Sequence, residues 1–508
     1  MATFLTRRLL ASLLVLFAAS FVVYLLAANS GDPLEELRSS NARNKEQLIE
    51  AKIRDLDLDV PPVLRYFLWL GGILRIFVGS FSLGEAVNGQ QVTSLLGSAM
   101  GSTLQLVVGA TLIAIVVGVG IGITTALRQY TTYDYGVTFI SFLFFSLPIF
   151  WLAVMLKQYL AIGFNDFLEN PEIPLVVIIA LSLVSGVVWL TIIGGDLKRR
   201  LITLALAAAS TALVLTFLSV TRWFSTPVIG PVVVAVLGLG IAYLITVLST
   251  GISNRKSLYT ALSVVGVLLA LYYPLQGAFQ FATPLLIAGI MIAIVGIGIL
   301  TGYLWGGPDR WQSARTGGIT ALLIGGLILI DRFLQSWKIY SDFLNGRPIA
   351  TISSQTPDLE GSFWVMGLDS FTHLLLPTAA LLLASLAGYT RYSRASLLDV
   401  LNQDYIRTAR AKGLTERTVV MRHAFRNALI PITTIIAFDF GAVIGGAIIT
   451  ERVFGWSGMG ALFNNALGAT DVNAMMGVFL VTGIAVIVFN LVADLVYSAL
   501  DPRIRVTA

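Results

Sequence analysis

Few side chains in this 508-residue chain could carry out chemistry, and their scarcity limits the possible reactions. The chain has no cysteine, which excludes disulfides, Cys-ligated zinc and iron–sulfur clusters. It has two histidines, His373 and His423, which leave little for a histidine-based metal site. The phosphate-binding pattern GxxxxGK[ST] is absent, so the chain offers no P-loop for ATP. We therefore predict no catalytic residue and no metal site, and we expect that the chain is not itself an enzyme.

One acidic residue, Asp439, stands in the middle of the apolar run TTIIAFDFGAVIGG. A carboxylate inside a membrane span is costly and points by default to a function. We predict Asp439 as a candidate residue of a substrate path. The alternative is a structural acid bonded to a neighbouring helix or to a partner subunit, and the residues alone leave both open.

A basic segment, residues 391–427, separates two apolar stretches near the C-terminus. Its stretch DVLNQDYIRTARAK contains good helix formers and no breaker, and Gly413 after it fits a helix C-cap or a left-handed turn. Thr415 fits the N-cap of a second helix, with Glu416 in its first turn. The pattern predicts a helix, a glycine turn and a second helix. Two functions remain open: a docking site for a partner protein, or a loop that only contacts lipid headgroups.

The composition is typical of a membrane protein with many spans, because 56% of the residues are hydrophobic and 12% are charged, against about 25% charged in soluble domains. A spanning helix needs about 20 mostly apolar residues, and a helix satisfies the backbone that an open strand would leave unpaired in lipid. We predict an all-α polytopic membrane protein. Its twelve candidate spans are 9–28, 102–127, 136–160, 173–193, 201–220, 227–249, 258–275, 281–305, 318–335, 371–390, 428–450 and 474–496.

Basic residues set the expected orientation, because short loops on the cytoplasmic side are enriched in Lys and Arg. With the N-terminus inside, the basic segment falls on the cytoplasmic side, whereas the opposite loop 163–174 has three acids and no base. An even number of spans then places both termini in the cytoplasm. The apolar run 9–28 is longer than the about 7–15 residues of a signal peptide core, so we predict a retained first span. The other short inner loops and the C-terminal tail contribute Arg128, Lys198, Arg199, Arg200, Arg255, Lys256, Arg310, Arg315, Arg503 and Arg505.

Several blocks of the sequence, in order, resemble the B-type permease subunit of the dipeptide/oligopeptide ABC importers, which depend on a solute-binding protein. The block HLLLPTAALLLASLAGYTRYSRASLLDVLNQDYIRTARAKGL (373–414) is the most recognisable and resembles the loop that couples such permeases to ATPases. The N-terminal TRRLLASLLVLFAASFVVYLLAANSGDP, the stretch FSLPIFWLAVML, the block ERVFGWSGMGALFNNAL and the terminal DLVYSALDPRIR resemble other landmarks of the family. The resemblance covers approximately residues 1–160 and 365–508.

The chain departs from the family pattern at two short positions. The general coupling motif has Glu six residues before its glycine, where this chain has Arg407, and this difference is usual in the peptide subfamily. The usual Trp-Pro-Gly of the family is Trp456-Ser457-Gly458 here, which we expect to loosen that turn.

The largest departure is an insertion. Family members generally have six spans, whereas residues 161–364 add six candidate helices to this chain. The resemblance therefore implies a type I ABC importer permease core of six helices, made of 1–160 and 365–508, interrupted by a helical membrane module with an outer loop. The first part of the core would include an extracytoplasmic segment, 30–101, and the last part would contain the basic segment as its coupling loop.

The resemblance also implies an assembly in a prokaryotic inner or plasma membrane. The expected partners are a second homologous permease, two cytoplasmic ATPase subunits, an extracytoplasmic solute-binding protein, a peptide substrate and membrane lipid, with no nucleic acid. ATP and Mg would be bound by the ATPase subunits, and this chain would hold no cofactor. Asp439 would then attract the ammonium end of a peptide. The residues expected to couple to the ATPases are Arg407, Thr408, Ala409, Arg410, Ala411, Lys412, Gly413, Leu414 and Thr415.

Three other functions were weighed. A permease of the same fold could carry nickel, glutathione or an oligosaccharide, and the sequence does not discriminate these cargos. A proton-coupled secondary transporter would suit twelve spans and Asp439, but it predicts two similar halves, and the basic segment has no counterpart earlier in the chain. A membrane-embedded enzyme would need a reactive cluster that the sequence lacks.

Overall fold

The computed structural model describes the backbone of residues 2–41, 43–251 and 253–500, and their side chains except at 2–5, 308, 417, 437, 438, 441–446 and 497–500. Within these residues the regular structure is helical, and pairing of extended backbone is limited to one isolated bridge between Glu85 and Gln91. The all-α prediction is therefore confirmed. The basic residues Arg503 and Arg505 of the C-terminal tail lie outside the described range.

The helices follow one another along the whole described chain. The first seven are α1 (Ala2–Ala28), α2 (Glu35–Ser39), α3 (Lys45–Asp55), α4 (Pro62–Leu74), α5 (Val92–Leu127), α6 (Thr132–Ser146) and α7 (Ile149–Leu156). The next nine are α8 (Gly163–Glu169), α9 (Leu175–Ile193), α10 (Leu197–Val220), α11 (Gly230–Ser249), α12 (Arg255–Ala270), α13 (Tyr272–Ala278), α14 (Pro284–Trp305), α15 (Arg310–Gln335) and α16 (Trp337–Phe343). The last seven are α17 (Phe363–Leu401), α18 (Asp404–Ala411), α19 (Glu416–Thr418), α20 (Phe425–Gly446), α21 (Ile448–Phe454), α22 (Met459–Gly468) and α23 (Val472–Leu500).

The helices long and apolar enough to cross a membrane agree with a polytopic protein. Among the described residues there are nine such helices, and two bent helix pairs bring the number to eleven if each pair is one span. The helix α20, with 22 residues, falls on the remaining predicted span, although several of its side chains are not described. All twelve predicted spans therefore fall on helices.

Two predicted spans are broken, and proline explains both breaks. The span predicted at 136–160 bends by 101° where α6 ends before Pro148. The span predicted at 258–275 bends by 53° between α12 and α13, and Pro274 lies in the first turn of α13. Proline removes a backbone donor and restricts the residue before it, so a helix bends or restarts there.

Some helices begin or end elsewhere than predicted. The helix α5 starts ten residues before the predicted span, and its 36 residues extend over about 54 Å, more than the about 30 Å of a hydrocarbon core. The span predicted at 371–390 is the middle of α17, which has 39 residues and contains Pro377. The loop 336–370, for which no fold was predicted, contains α16, whose Tyr340 is fully buried.

The described contacts divide the chain into two compact units. The first unit contains residues 1–160, 351–354 and 374–508, and the second contains 161–350 and 355–373. The second unit thus reaches nine residues beyond the predicted end of the insertion at 364. The division into a permease core and an added module remains a prediction about function.

In the first unit an aromatic cluster fixes α4 on α1. Tyr66 of α4 is fully buried, its ring lies 5.5 Å from that of Tyr24, and its hydroxyl is 2.9 Å from the hydroxyl of Ser20. Trp69, one turn later, lies 6.0 Å from the Tyr24 ring. Edge-to-face aromatic pairs of this kind add to the burial of the rings themselves. The apolar segment after Val60 therefore contains a helix held by aromatic side chains.

In the second unit small residues bring α14 and α15 together. A methyl group at Gly298 would lie 2.4 Å from the carbonyl oxygen of Gly317, and one at Gly302 would lie 2.3 Å from that of Ser313. Only glycine fits at these points, as in many close helix pairs within membranes. The same unit buries the carboxylate of Asp331 completely.

Candidate functional site

The glycine turn of the basic segment has the predicted conformation. The helix α18 ends at Ala411, and Gly413 follows with φ +77°, in the left-handed region. Its N–H donates to the carbonyl of Arg410 at 2.9 Å. A methyl group at Gly413 would meet no atom within 4 Å, so the backbone angle, and not the surrounding space, favours glycine here.

The second helix of the basic segment begins as predicted but changes form after one turn. Thr415 caps α19, because its hydroxyl accepts a hydrogen bond from the N–H of Thr418 at 3.4 Å. The chain then forms a π-helical turn, Val419–Ala424, before α20 starts. Such turns are rare and often occur at functional sites. No local pattern in the sequence predicts this turn.

An ion pair closes the turn from both sides. Arg410 donates through Nε to Oε2 of Glu416 at 3.2 Å and through Nη2 to Oε1 at 2.7 Å. This hydrogen-bonded guanidinium lowers the pKa of the Glu416 carboxyl below its ordinary value. Both side chains are about half exposed, with 44% for Arg410 and 60% for Glu416. We therefore attribute to this pair the shape of the turn rather than a large share of the stability.

The predicted coupling residues divide between two faces. Ala409 is buried, together with Ile406, against Leu397 of α17 and Val419 and Ala424 of the π-helical turn. Ala409, one of the residues expected to couple to the ATPases, is thus packed within its own chain and anchors α18, and its coupling role stays a prediction. The other predicted residues are exposed: Arg407, Thr408, Arg410, Ala411, Lys412, Gly413, Leu414 and Thr415.

Exposed apolar side chains surround this polar face. Leu414 is 41% exposed, Met421 is 56% exposed and Tyr405 is 41% exposed. Tyr405 also accepts a hydrogen bond from Asn427, 2.7 Å away, which fixes α18 against the start of α20. Tyr405 and Met421 were not predicted as site residues, because the sequence alone does not distinguish an exposed apolar side chain from a buried one. Exposed basic and exposed apolar side chains thus occur together in the basic segment, as they do at protein docking sites.

Asp439 lies half-buried on α20 and faces α17. The hydroxyl of Tyr389, a residue that is 1% exposed, lies near the Asp439 carboxylate. The neighbouring Phe440 stacks on Phe489 of α23, with ring centres 5.1 Å apart. Several neighbours of Asp439 on α20 lie outside the described side chains, so its role in a substrate path remains a prediction.

Glu451, which was not among the predicted site residues, also carries a buried carboxylate. Glu451 of α21 is fully buried, and its oxygens accept from the Thr103 hydroxyl at 2.8 Å and from the N–H of Ala461 at 2.9 Å. Ala461 is in the first turn of α22, so the carboxylate also faces the positive end of that helix. Trp456 donates through its indole N–H to the carbonyl of Ser102 at 3.1 Å. The turn at Trp456-Ser457-Gly458 is thus anchored to α5.

Comparison with known proteins assigns the chain to a family. Residues 201–506 match the model of the binding-protein-dependent transport system inner membrane component, which is more than half of the chain. The chain belongs to this family of membrane transport components. The matched range includes part of the predicted insertion, 161–364, so it does not delimit that module.

Curated relatives agree with this assignment. The oligopeptide transport system permease protein OppB of Mycobacterium tuberculosis is 26% identical over 508 residues, covering all of both chains. A putative peptide permease protein of Brucella ovis is 39% identical over 224 residues, which are 44% of this chain and 68% of the relative. The glutathione transport system permease protein GsiC of Escherichia coli strain K12 is 42% identical over 140 residues, 28% of this chain and 46% of the relative.

Proposed function

We propose that this chain is one of two permease subunits of an ATP-driven peptide importer. The family assignment and the peptide permeases among the relatives support the class and the cargo. The partners would be a homologous permease, two ATPases that bind ATP and Mg, and a solute-binding protein on the other face of the membrane. The basic loops support an inner or plasma membrane of a prokaryote with both termini in the cytoplasm.

The observation that carries the coupling role is the exposed surface around Gly413. A helix, a left-handed turn and a capped second helix place Thr408, Ala411 and Leu414 on one accessible surface, while Ile406 and Ala409 fix its base. A partner that presses on this surface therefore moves α18 together with the helices beneath it. In this account, closure of the ATPases shifts the coupling segment (residues 405–417), and the shift changes the membrane helices between inward-open and outward-open states.

Asp439 is proposed as a residue of the substrate path that attracts the ammonium group of a peptide. It is an acid in α20, which follows the coupling segment after the π-helical turn Val419–Ala424, so a movement of that segment would reach it through this turn. Replacement by the isosteric amide, Asp439→Asn, should weaken uptake of peptides with a free amino terminus more than uptake of N-acetylated peptides. If Asp439→Asn changes the uptake of free and N-acetylated peptides by the same factor, Asp439 has a structural role.

The test of the proposed function is reconstitution. Affinity purification of the tagged chain in mild detergent should bring down a second permease and two ATPases, and the complex in liposomes should take up peptide only with ATP and a loaded solute-binding protein. Uptake of nickel, glutathione or an oligosaccharide in place of the peptide would support the importer class but contradict the proposed peptide cargo. Uptake by this chain alone, without ATP, would contradict the proposal.

A further inference from the structure

Few side chains of the helix α6 are buried. Of its 15 residues, two are buried, Asp134 and Ser141. Most of its large side chains point outward, including Tyr135, Phe139 and Phe142, which are each more than half exposed. The helix also ends in the 101° break before α7, so it is not continued as a straight rod. The attachment of α6 to its own unit therefore involves few contacts: the buried Asp134 carboxylate, the Tyr133 hydroxyl 2.8 Å from that of Thr124 on α5, and an aromatic ring near the C-terminal end of the helix.

Asp134 is attached to the helix that leads into the coupling segment. Arg394 of α17 donates through Nε to Oδ1 of Asp134 at 2.9 Å and through Nη2 to Oδ2 at 3.0 Å. The Asp134 side chain is 3% exposed and that of Arg394 is 30% exposed. Tyr130 adds a backbone N–H to Oδ2 at 3.1 Å. Two parallel hydrogen bonds to a buried carboxylate fix both distance and orientation, which a single contact does not.

A second arginine of α17 supports the same attachment. The Arg391 guanidinium carbon lies 4.0 Å from the centre of the Phe145 ring, and 5.0 Å from that of Phe142. Both rings belong to α6. Cations over aromatic faces attract more weakly than a bidentate ion pair but act over the same interface. Arg391 and Arg394 together join the end of α17 to both ends of α6.

The helix α17 is also locked to α5. A methyl group at Gly118 would lie 2.8 Å from Cβ of Tyr389, and one at Gly122 would lie 2.7 Å from the carbonyl oxygen of Thr390. The two helices are therefore in close contact at these glycines, and sliding one along the other would disrupt this packing. The glycine-rich stretch 116–123 is accordingly where α5 packs against α17.

The path from the coupling segment to these contacts is short. The helix α17 ends at Leu401 and α18 begins at Asp404, so only Asn402 and Gln403 separate them. Ser396 also donates to the carbonyl of Ala428 at 2.8 Å, which ties α17 to α20. A displacement of α18 therefore enters α17 close to Arg394.

We propose that the Arg394–Asp134 pair makes α6 follow the movement of the coupling segment, so that α5, α6 and α17 turn as one body during transport. Arg394 is a positioning residue in this account, because it acts through α6 and touches no substrate. The inference rests on the proposed function, since it presupposes that the coupling segment receives the movement. A pair that only stabilised the fold would have no effect on uptake per ATP in assembled complexes.

The test uses the reconstituted complex with Arg394→Gln, Asp134→Asn and the charge reversal that combines Arg394→Asp with Asp134→Arg. The matched control is Arg222→Gln, which breaks an exposed pair with Glu172, 3.1 Å long, in the second unit. Uptake per ATP hydrolysed, measured per assembled complex, should fall about tenfold in each single variant and recover to within about threefold of the natural value in the reversal. The control should equal the natural chain.

A distance measurement tests the inference even if the single variants fail to assemble. Because the chain has no cysteine, Tyr135→Cys on α6 and Tyr392→Cys on α17 would carry the only spin labels in this chain when it is labelled before assembly, and both sites are exposed. With Arg394 in place, the distance between the labels should stay constant through the ATP cycle. A distance that changes with nucleotide, or single variants with natural uptake per ATP, would overturn the inference. Failure of the proposed function would appear differently, as an absence of ATP-dependent uptake in the unmutated complex.

Discussion

At Gly413 the backbone angle favours glycine, and this preference is separate from any steric effect. The residue has φ +77° and open space around its Cα, so a side chain there suffers only from the backbone angle. A β-branched residue in this region costs about 1–2 kcal/mol, whereas asparagine tolerates it better. Gly413 was predicted from the sequence because a glycine after a helix-forming run is a common terminator.

We expect Gly413→Val to lower uptake per ATP strongly and Gly413→Asn to lower it little. The reason is that valine opposes the left-handed turn that orients Leu414 and Thr415, whereas asparagine accepts it. The measurement is ATP hydrolysis and peptide uptake by complexes present at equal amounts in the membrane. Equal activity of the two variants would show that the turn does not transmit movement.

The helices could be predicted from the sequence, but their partners could not. A run of about 20 apolar residues is a strong signal, which is why all twelve spans coincide with helices. The breaks at Pro148 and Pro274 were visible in the sequence as prolines, yet a single span and a broken one have the same hydropathy. The pair Arg394–Asp134 joins residues 260 positions apart, and no local pattern indicates it.

Buried carboxylates at helix starts are a feature of both units. Glu451 accepts from the first turn of α22, and Asp331 accepts from the N–H groups of Ile229 and Gly230, at 2.7 and 3.1 Å, where α11 begins. Each acid is distant in sequence from one of the helices that it contacts. Asp331 is fully buried and paired.

Asp331→Asn should destabilise the second unit by about 1–3 kcal/mol, because the amide nitrogen cannot accept the hydrogen bonds that the carboxylate accepts. Tyr272, Gln276 and Gln335 donate to Oδ2, so at least one of these groups loses its partner. The control is Asp342→Asn, which breaks an exposed pair with Lys338, 2.9 Å long, and should change stability by at most about 1 kcal/mol. Thermal unfolding of the purified chain measures both, and equal shifts would contradict the account.

At the scale of the whole molecule, an even number of added helices preserves the orientation of everything after them. The second unit holds six predicted spans, five single helices and the bent pair of α12 and α13. Six is even, so the basic segment would keep the side that it has in relatives without such an insertion. The chemistry of the loops and the number of helices thus agree, although they are independent features.

This topology predicts the result of reporter fusions. A reporter that is active only in the cytoplasm should be active at residue 508 and in the loop near Arg255, and inactive in the loop 163–174. A reporter that is active only outside should give the opposite pattern. Activity of the cytoplasmic reporter in the loop 163–174 would contradict an arrangement with both termini inside.

The central claim is that the exposed face of the coupling segment receives a partner's ATP cycle, and site-directed cross-linking tests it most directly. Ala411 is exposed whereas Ala409, one half-turn away, is 7% exposed and packed in the core of its own chain. In the absence of natural cysteines, Ala411→Cys should cross-link to an ATPase subunit with a yield that changes between ATP and ADP, whereas Ala409→Cys should not. An active complex in which Ala411→Cys never reaches an ATPase subunit would contradict the account.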